Sequence, residues 1–323
     1  MLAAPAPVRA MTSLVVGIDF TPCCAVALGQ AIRIAAWSGG GGGATVHPVH
    51  VIDTIVVLDI EAALSDFQQN IRDSLARDAQ RAWGEFAKGV RGAAGLPLEV
   101  SVNNRIVGIL RRARQAKADL LVMGAFGWRE PDVGFGTVAT ACVRKSMTDV
   151  LLVRDTRAGA FKTIVACVDF SPTSLRVLER AAFFASKDDA ELHVLHVCGT
   201  AWQQLHHAAP TPLVEPHQMK RYRDSVEHRL AEFARPVLAR YPGLRSRSAL
   251  HDQSGHRSGI VAYAKSVSAD LIVLGTRGRT SLRDILLGST AEKALEESPC
   301  SVLAVKPEGF EHPLAAEAEP RNL

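Results

Sequence analysis

Short runs of apolar residues alternate along the chain with stretches in which apolar residues recur at helical spacing. Residues 14–18 are a run of the first kind, and Ser174–Ser186 is a stretch of the second, with Leu175, Leu178, Ala181, Ala182 and Ala185 on one face. Alternating strands and helices predict a parallel sheet. Strands that are apolar throughout predict helices on both faces. We therefore predict α/β domains built as three-layer sandwiches with mostly parallel sheets.

The pattern occurs twice in the chain. Blocks of the first half have counterparts in the second half in the same order: residues 14–20 and 164–170, 46–51 and 192–197, 118–127 and 269–278, and 150–153 and 302–305. A non-periodic stretch, Arg154–Lys162, separates the copies. We predict two tandem domains, over residues 1–156 and 161–308, followed by a C-terminal tail over residues 309–323.

Composition narrows the classes of partner. The 323 residues are 47% hydrophobic and 22% charged, with a formal net charge of +4. This charge is too mild and dispersed to indicate a nucleic acid as partner. No apolar run reaches the roughly 18 residues that a membrane span needs, so no membrane partner is expected. The six cysteines lie mostly in apolar runs, which predicts reduced, buried thiols and a cytoplasmic location.

A glycine motif in the second half carries the strongest chemical signal. Residues 275–278 read G-T-R-G after a predicted strand, and nine residues later G-S-T at 288–290 opens a predicted helix. Ligands of open parallel sheets bind beyond the carboxyl ends of the strands. Glycines there expose backbone N–H groups to a phosphate, and we expect some of them to adopt positive φ. A helix start favours anions, and arginines add charge. The candidate phosphate ligands are Gly275, Arg277, Gly278, Arg279, Gly288, Ser289 and Thr290.

The spacing resembles the signature G-x2-G-x9-G-(S/T) of the nucleotide-binding universal stress proteins, a UspA-like family, and the resemblance covers nearly the whole chain. It implies five-stranded, Rossmann-like sheets of the adenine nucleotide alpha hydrolase type. It also implies binding of ATP, ADP or AMP, with Mg²⁺ as a companion ion. From the resemblance, Asp169 contacts the base or ribose end of the nucleotide and Val197 offers backbone to adenine, with Val168 beside them.

The first copy departs from this signature. Gly124 and Gly127 are followed by only eight residues before Gly136 and Thr137, and the intervening segment contains the bulky Trp128–Val133. Two outcomes remain open for this half: a second nucleotide site, or a pocket that is collapsed or filled. The candidate residues of this half are Asp19, Val51, Gly124, Gly127, Gly136 and Thr137.

Structural roles are alternatives for several of these residues. The glycines could simply close a turn between strand and helix. Asp169 could cap the helix that follows, since Ser171 and Pro172 are typical of a helix start. His193 and His196 are three residues apart on a predicted strand, so they face opposite sides of the sheet and cannot share a metal. The same holds for His47 and His50.

Three functions from different classes remain. The first is a nucleotide-dependent stress regulator whose two halves pack together through their last strands, Val150–Val153 and Val302–Val305. Two such tandem chains are expected to form a homodimer. The second is a slow Mg²⁺-dependent ATPase, for which Asp284 is the acid near the loop. The third is a nucleotide-free module for dimerisation or docking. Neither a Walker motif nor a nucleophile elbow is present, so we favour binding over catalysis.

Overall fold

The structure of the chain is a computed structural model that describes residues 11–37, 43–63, 71–127, 134–154, 159–198, 216–252, 256–278 and 287–310. The chain divides into two compact units, with the boundary between Gly159 and Ala160. We call them the N-terminal and C-terminal halves. Most of the predicted tail, residues 311–323, lies outside the described residues.

The N-terminal half contains one parallel sheet with the strand order β3-β2-β1-β4-β5. Helices α2 and α3 contact each other, as do α4 and α5. In chain order the elements are β1 Ser13–Gly17, α1 Pro22–Ala35, β2 Thr45–Asp53, α2 Thr54–Ala63, α3 Ile71–Lys88, β3 Glu99–Asn103, α4 Arg105–Gln115, β4 Leu120–Gly124, α5 Thr137–Lys145 and β5 Asp149–Val153.

The C-terminal half repeats this arrangement with the order β8-β7-β6-β9-β10, again parallel throughout its described pairs. Its elements are β6 Thr163–Cys167, α6 Pro172–Asp188, β7 Glu191–Cys198, α7 Pro216–Leu238, β8 Ser246–Asp252, α8 His256–Ser266, β9 Leu271–Gly275, α9 Ser289–Glu297 and β10 Ser301–Val305. The prediction of two tandem three-layer α/β sandwiches is confirmed. None of the described helices is long and apolar enough to cross a membrane.

The burial of each strand explains whether its apolar residues reveal it in the sequence. Strands β5 and β10 are buried along their whole length, and β4 and β9 are buried except at the final glycine. Strands β3 and β8 lie at the sheet edges and are partly exposed, so their sequences, such as Glu99–Asn103, are polar at many positions. The apolar runs therefore locate four strands in each half, and the fifth is missed because an edge strand needs few apolar residues.

The cysteines are packing residues. All six are free thiols, five of them buried and Cys167 half-buried. Burial raises the pKa of the Cys24 and Cys142 thiols to about 12, so both are protonated at neutral pH. The prediction of buried thiols is confirmed for five of the six cysteines.

Helix α8 approaches the sheet closely because it carries glycine where it crosses Val197. A Cβ built on Gly259 would lie 2.6 Å from Cγ1 of Val197. The N-terminal half repeats the contact, since a Cβ on Gly108 of α4 would lie 2.8 Å from the side chain of Val51. These glycines set the distance between the helix and the end of the second strand in each half.

We expect Gly259→Ala to destabilise the C-terminal half. Overpacking costs about 1–3 kcal/mol, which outweighs the gain of up to about 1 kcal/mol from replacing a helical glycine by alanine. The control is Gly84→Ala in α3, where no atom of the described residues lies within 4 Å of the new Cβ and the thermal midpoint should rise. An equal rise for both variants in thermal denaturation would contradict the close contact at Val197.

The buried side chain of His193 joins the sheet to α8. Nε of Arg247 lies 3.0 Å from its Nε2, and the Tyr263 hydroxyl lies 3.2 Å from its Nδ1. Burial and the positive charge of Arg247 lower the pKa of His193, although Glu191 opposes them. His196 instead contacts the carbonyl of Val168, so the two histidines have separate partners.

The lowered pKa of His193 predicts acid sensitivity. A histidine whose folded-state pKa is lowered contributes stability above its unfolded pKa of about 6.5 and loses it as the pH falls below that value. The free energy of unfolding should therefore decline from pH 7 to pH 5, and the decline should be smaller in His193→Gln. Denaturant titrations across this range measure both slopes; equal slopes would show that His193 does not titrate on unfolding.

Candidate functional site

The strand order reverses direction between β6 and β9, which are neighbours in the sheet. The chain leaves β6 toward β7 on one side and leaves β9 toward β10 on the other. In open α/β sheets such a switch point leaves a crevice outside the carboxyl ends of the two strands. Asp169 follows β6 and Gly275 ends β9, so the two main sequence-predicted segments meet at this crevice.

Asp169 is held by a tight network in the turn between β6 and α6. Its Oδ1 accepts hydrogen bonds from Oγ of Ser174 at 2.5 Å and from the backbone N–H of Ser171 at 3.0 Å. The N-cap of α6 is Ser171, whose side chain accepts from the N–H of Ser174 at 3.2 Å. The alternative in which Asp169 caps this helix is therefore wrong, because Ser171 satisfies the helix N–H group.

Gly278 lies directly against Asp169. A Cβ at Gly278 would stand 2.7 Å from Oδ2 of the carboxylate, so only glycine allows this approach. A Cβ at Gly275 would stand 2.8 Å from Cγ2 of Thr173. None of the three motif glycines has a positive φ, so that expectation was wrong. Their conformations are open to any residue, and close approach explains Gly275 and Gly278 instead.

Gly288 differs from the other two glycines. It is the N-cap of α9, and among the described residues a Cβ there would meet only the carbonyl oxygen of Thr276, at an ordinary 3.6 Å. Its own N–H donates to that same oxygen at 3.0 Å, which brings the helix start back to the end of β9. No side chain among the described residues caps α9. Ser289, at the first helical position, is exposed and Thr290 is half-buried.

The remaining predicted residues surround this crevice. Val168 and Val197 have buried side chains, so only their backbone is available to a ligand. The N–H of Val168 donates to the carbonyl of Leu195 at 2.9 Å, which ties the turn to β7. Arg277 is half-buried beside Gly278. Arg279 and Asp284 lie outside the described residues.

The turn after β6 contains a backbone conformation that was not predicted from the sequence. Phe170 has φ of 63°, in the left-handed region, which is uncommon for a bulky residue. Its ring lies 4.5 Å from that of His196, and the guanidinium of Arg229 lies 4.2 Å above it. Phe20 and His50 repeat the arrangement in the N-terminal half. The recurrence of Asp-Phe and of the histidine in both copies was the available signal.

Both copies match known proteins. The model of the universal stress protein family matches residues 11–154 and again residues 160–306. The chain belongs to the universal stress protein family. Universal stress protein A homolog 1 of Coxiella burnetii is 32% identical over 146 residues, which are 45% of this chain and 96% of that protein.

Other members of the universal stress protein family extend the comparison. The Thermus aquaticus protein called universal stress protein in QAH/OAS sulfhydrylase 3'region is 32% identical over 148 residues, 45% of this chain and 99% of that protein. The crystal structure of a universal stress protein from Archaeoglobus fulgidus superposes with a TM-score of 0.60 at 19% identity, covering 91% of this chain and 98% of that one. This likeness supports the tandem fold.

The two universal stress protein copies have diverged at the crevice. In the N-terminal half the backbone closes in the same way: the N–H of Gly136, ahead of Thr137, donates to Ala125 at 2.7 Å, and a Cβ on Gly127 would lie 3.4 Å from Asp19. Gly124 again packs against the start of the first helix. The framework of the site is therefore common to both halves.

The side chains at this place differ. Phe126, which stands where the C-terminal half has Arg277, is buried against Cys23, and Phe135 packs against the same cluster. The guanidinium of Arg154 lies 5.6 Å from each phenylalanine ring and donates to the carbonyl of Gly134 at 2.9 Å. An apolar cluster thus occupies the loop that carries a cation in the other copy.

Proposed function

We propose that this universal stress protein binds an adenine nucleotide, ATP or alternatively ADP or AMP, in its C-terminal half and acts as a nucleotide-dependent regulator. The observation that carries the proposal is the start of α9. Gly288 is glycine although neither its φ nor its packing against the described residues demands it. A ligand that must approach the backbone closely gives a reason for the missing side chain.

The chemistry of this helix start suits a phosphate. The first N–H groups of an α-helix lack partners within the helix, and the helix dipole places partial positive charge there. Helix α6 meets this need with the side chain of Ser171, whereas no described side chain does so for α9. The exposed Ser289 hydroxyl adds a donor, and Arg277 adds a positive charge nearby.

The end of the crevice near Asp169 suits a ribose and a base. Asp169 presents a fixed carboxylate, which can accept hydrogen bonds from ribose hydroxyls. The family resemblance assigns the backbone at Val168 and Val197 to the base. Binding would stabilise the folded C-terminal half by about 2.7 kcal/mol at a nucleotide concentration one hundred times the Kd. Bound nucleotide would thus regulate the protein by changing the stability of its C-terminal half.

Gly288→Ser tests the phosphate end without disturbing the fold. Serine is a preferred N-cap, and its Cβ meets no atom of the described residues closer than 3.6 Å, so the thermal midpoint of the free protein should stay or rise. The new hydroxyl would satisfy the N–H groups that a phosphate needs and would fill its place. We expect ATP affinity, measured by calorimetry with Mg²⁺, to fall about tenfold or more, as for a lost charge-assisted hydrogen bond.

The matched control is Gly136→Ser, which makes the same change at the start of α5 in the N-terminal half. This variant should bind ATP like the parent protein. Parent-like ATP affinity in Gly288→Ser would move the phosphates away from α9 and remove the main support for the proposal.

A further inference from the structure

We infer that His196 is a positioning residue for the nucleotide site: its ring nitrogen fixes the peptide between Val168 and Asp169 and thereby aims the Asp169 carboxylate. This inference rests on the proposed function. His196 was predicted only as a strand residue, and its role emerges from contacts around the turn after β6.

The peptide between Val168 and Asp169 is held at both polar atoms. Nδ1 of His196 lies 2.7 Å from the Val168 carbonyl oxygen. On the other side of the same peptide, the N–H of Asp169 donates to Oγ of Ser174 at 2.8 Å. Because a peptide is planar, fixing its oxygen and its N–H removes the freedom of the plane to rotate. The direction in which the chain enters Asp169 is therefore fixed.

The proton position on His196 follows from its partner. A carbonyl oxygen only accepts hydrogen bonds, so Nδ1 must carry a proton and donate it. The hydrogen bond defines the orientation of the imidazole, in the way that a second hydrogen bond orients histidines at metal sites. Histidine and tryptophan are the side chains whose N–H donor is part of an aromatic ring, and tryptophan is much larger.

The ring of His196 also makes a packing contact. It packs against Phe170, whose other neighbours are Arg229 at 4.2 Å and Phe233 at 5.6 Å. The left-handed backbone of Phe170 is unfavourable for an aromatic residue, and such conformations persist only where the surroundings determine them. His196 thus holds the residue before Asp169 through a hydrogen bond and the residue after it through ring packing.

These restraints determine where the carboxylate points. Oδ1 is taken by Ser171 and Ser174, and Oδ2 lies on the side of Gly278, at the crevice. Rotation of the preceding peptide would move both oxygens relative to the start of α9. A displacement of this kind affects a ligand that must reach Asp169 and α9 together, but not a ligand that reaches α9 alone.

The N-terminal half supplies an internal control. Nδ1 of His50 lies 2.8 Å from the Ile18 carbonyl, and its ring lies 4.9 Å from Phe20. The position of Ser174 is taken there by Cys24, whose thiol contacts the carbonyl of Gly17 at 3.4 Å. Substitution of His50 therefore makes the same local change in the half that is not proposed to bind the nucleotide.

The test uses the full chain with His196→Phe, His196→Asn and His50→Phe. Phenylalanine keeps the ring and loses the donor, whereas asparagine places an amide near the position of Nδ1 and loses the ring. We expect His196→Phe to bind ATP about tenfold more weakly, as for the loss of a hydrogen bond, and to bind inorganic tripolyphosphate as the parent does. Partial or full recovery of ATP affinity is expected in His196→Asn, and no change in His50→Phe.

A second readout needs no ligand. The backbone N–H of Ser171 donates to the Asp169 carboxylate. Its amide chemical shift in the NMR spectrum of the unliganded protein should change in His196→Phe and stay the same in His50→Phe. Parent-like ATP affinity in a folded His196→Phe, or an equal loss for ATP and tripolyphosphate, would overturn the inference. A loss in His196→Asn as large as in His196→Phe would also overturn it. If the parent protein does not bind ATP, the proposed function is wrong. The role of His196 is tested separately by the Ser171 amide resonance: an unchanged resonance in His196→Phe would show that His196 does not position the Asp169 carboxylate.

Discussion

Burial of the central strands between two layers of helices governs the geometry of each half. Strands such as β9 offer apolar side chains to both faces, so helices must pack on both sides and close to the sheet. Glycines at the crossing points, Gly108 and Gly259, allow that approach. Because the parallel strands all end at one edge and the chain departs from β6 and β9 in opposite directions, the same packing opens a crevice there.

Much of the fold could be predicted because strands buried on both faces require continuous runs of apolar residues, which are visible in the sequence. Buried strands are apolar throughout, and the two copies repeat them in order. The edge strands β3 and β8 carry no such run, since one edge and part of their faces meet solvent. Only the family resemblance indicated the fifth strand, and the structure placed it.

The site was predictable in its parts but not in its contacts. The family resemblance identified Asp169 and the glycine spacing identified Gly278, and the fold brings the two residues into contact. The left-handed conformation of Phe170 was not predictable, because its surroundings include residues distant in sequence such as His196 and Arg229. Likewise, the segment around Phe126 could be recognised as altered, but the packing of Arg154 on it follows only from the folded chain.

The two halves thus share a backbone framework and differ in the side chains at the crevice, which leads to an account with a single nucleotide site per chain. The most direct test is quantitative mass spectrometry of small molecules released by denaturing the freshly purified protein. A single site in the C-terminal half predicts one adenine nucleotide per chain. Two per chain would contradict a single site, and none, together with no binding on titration, would contradict nucleotide binding itself.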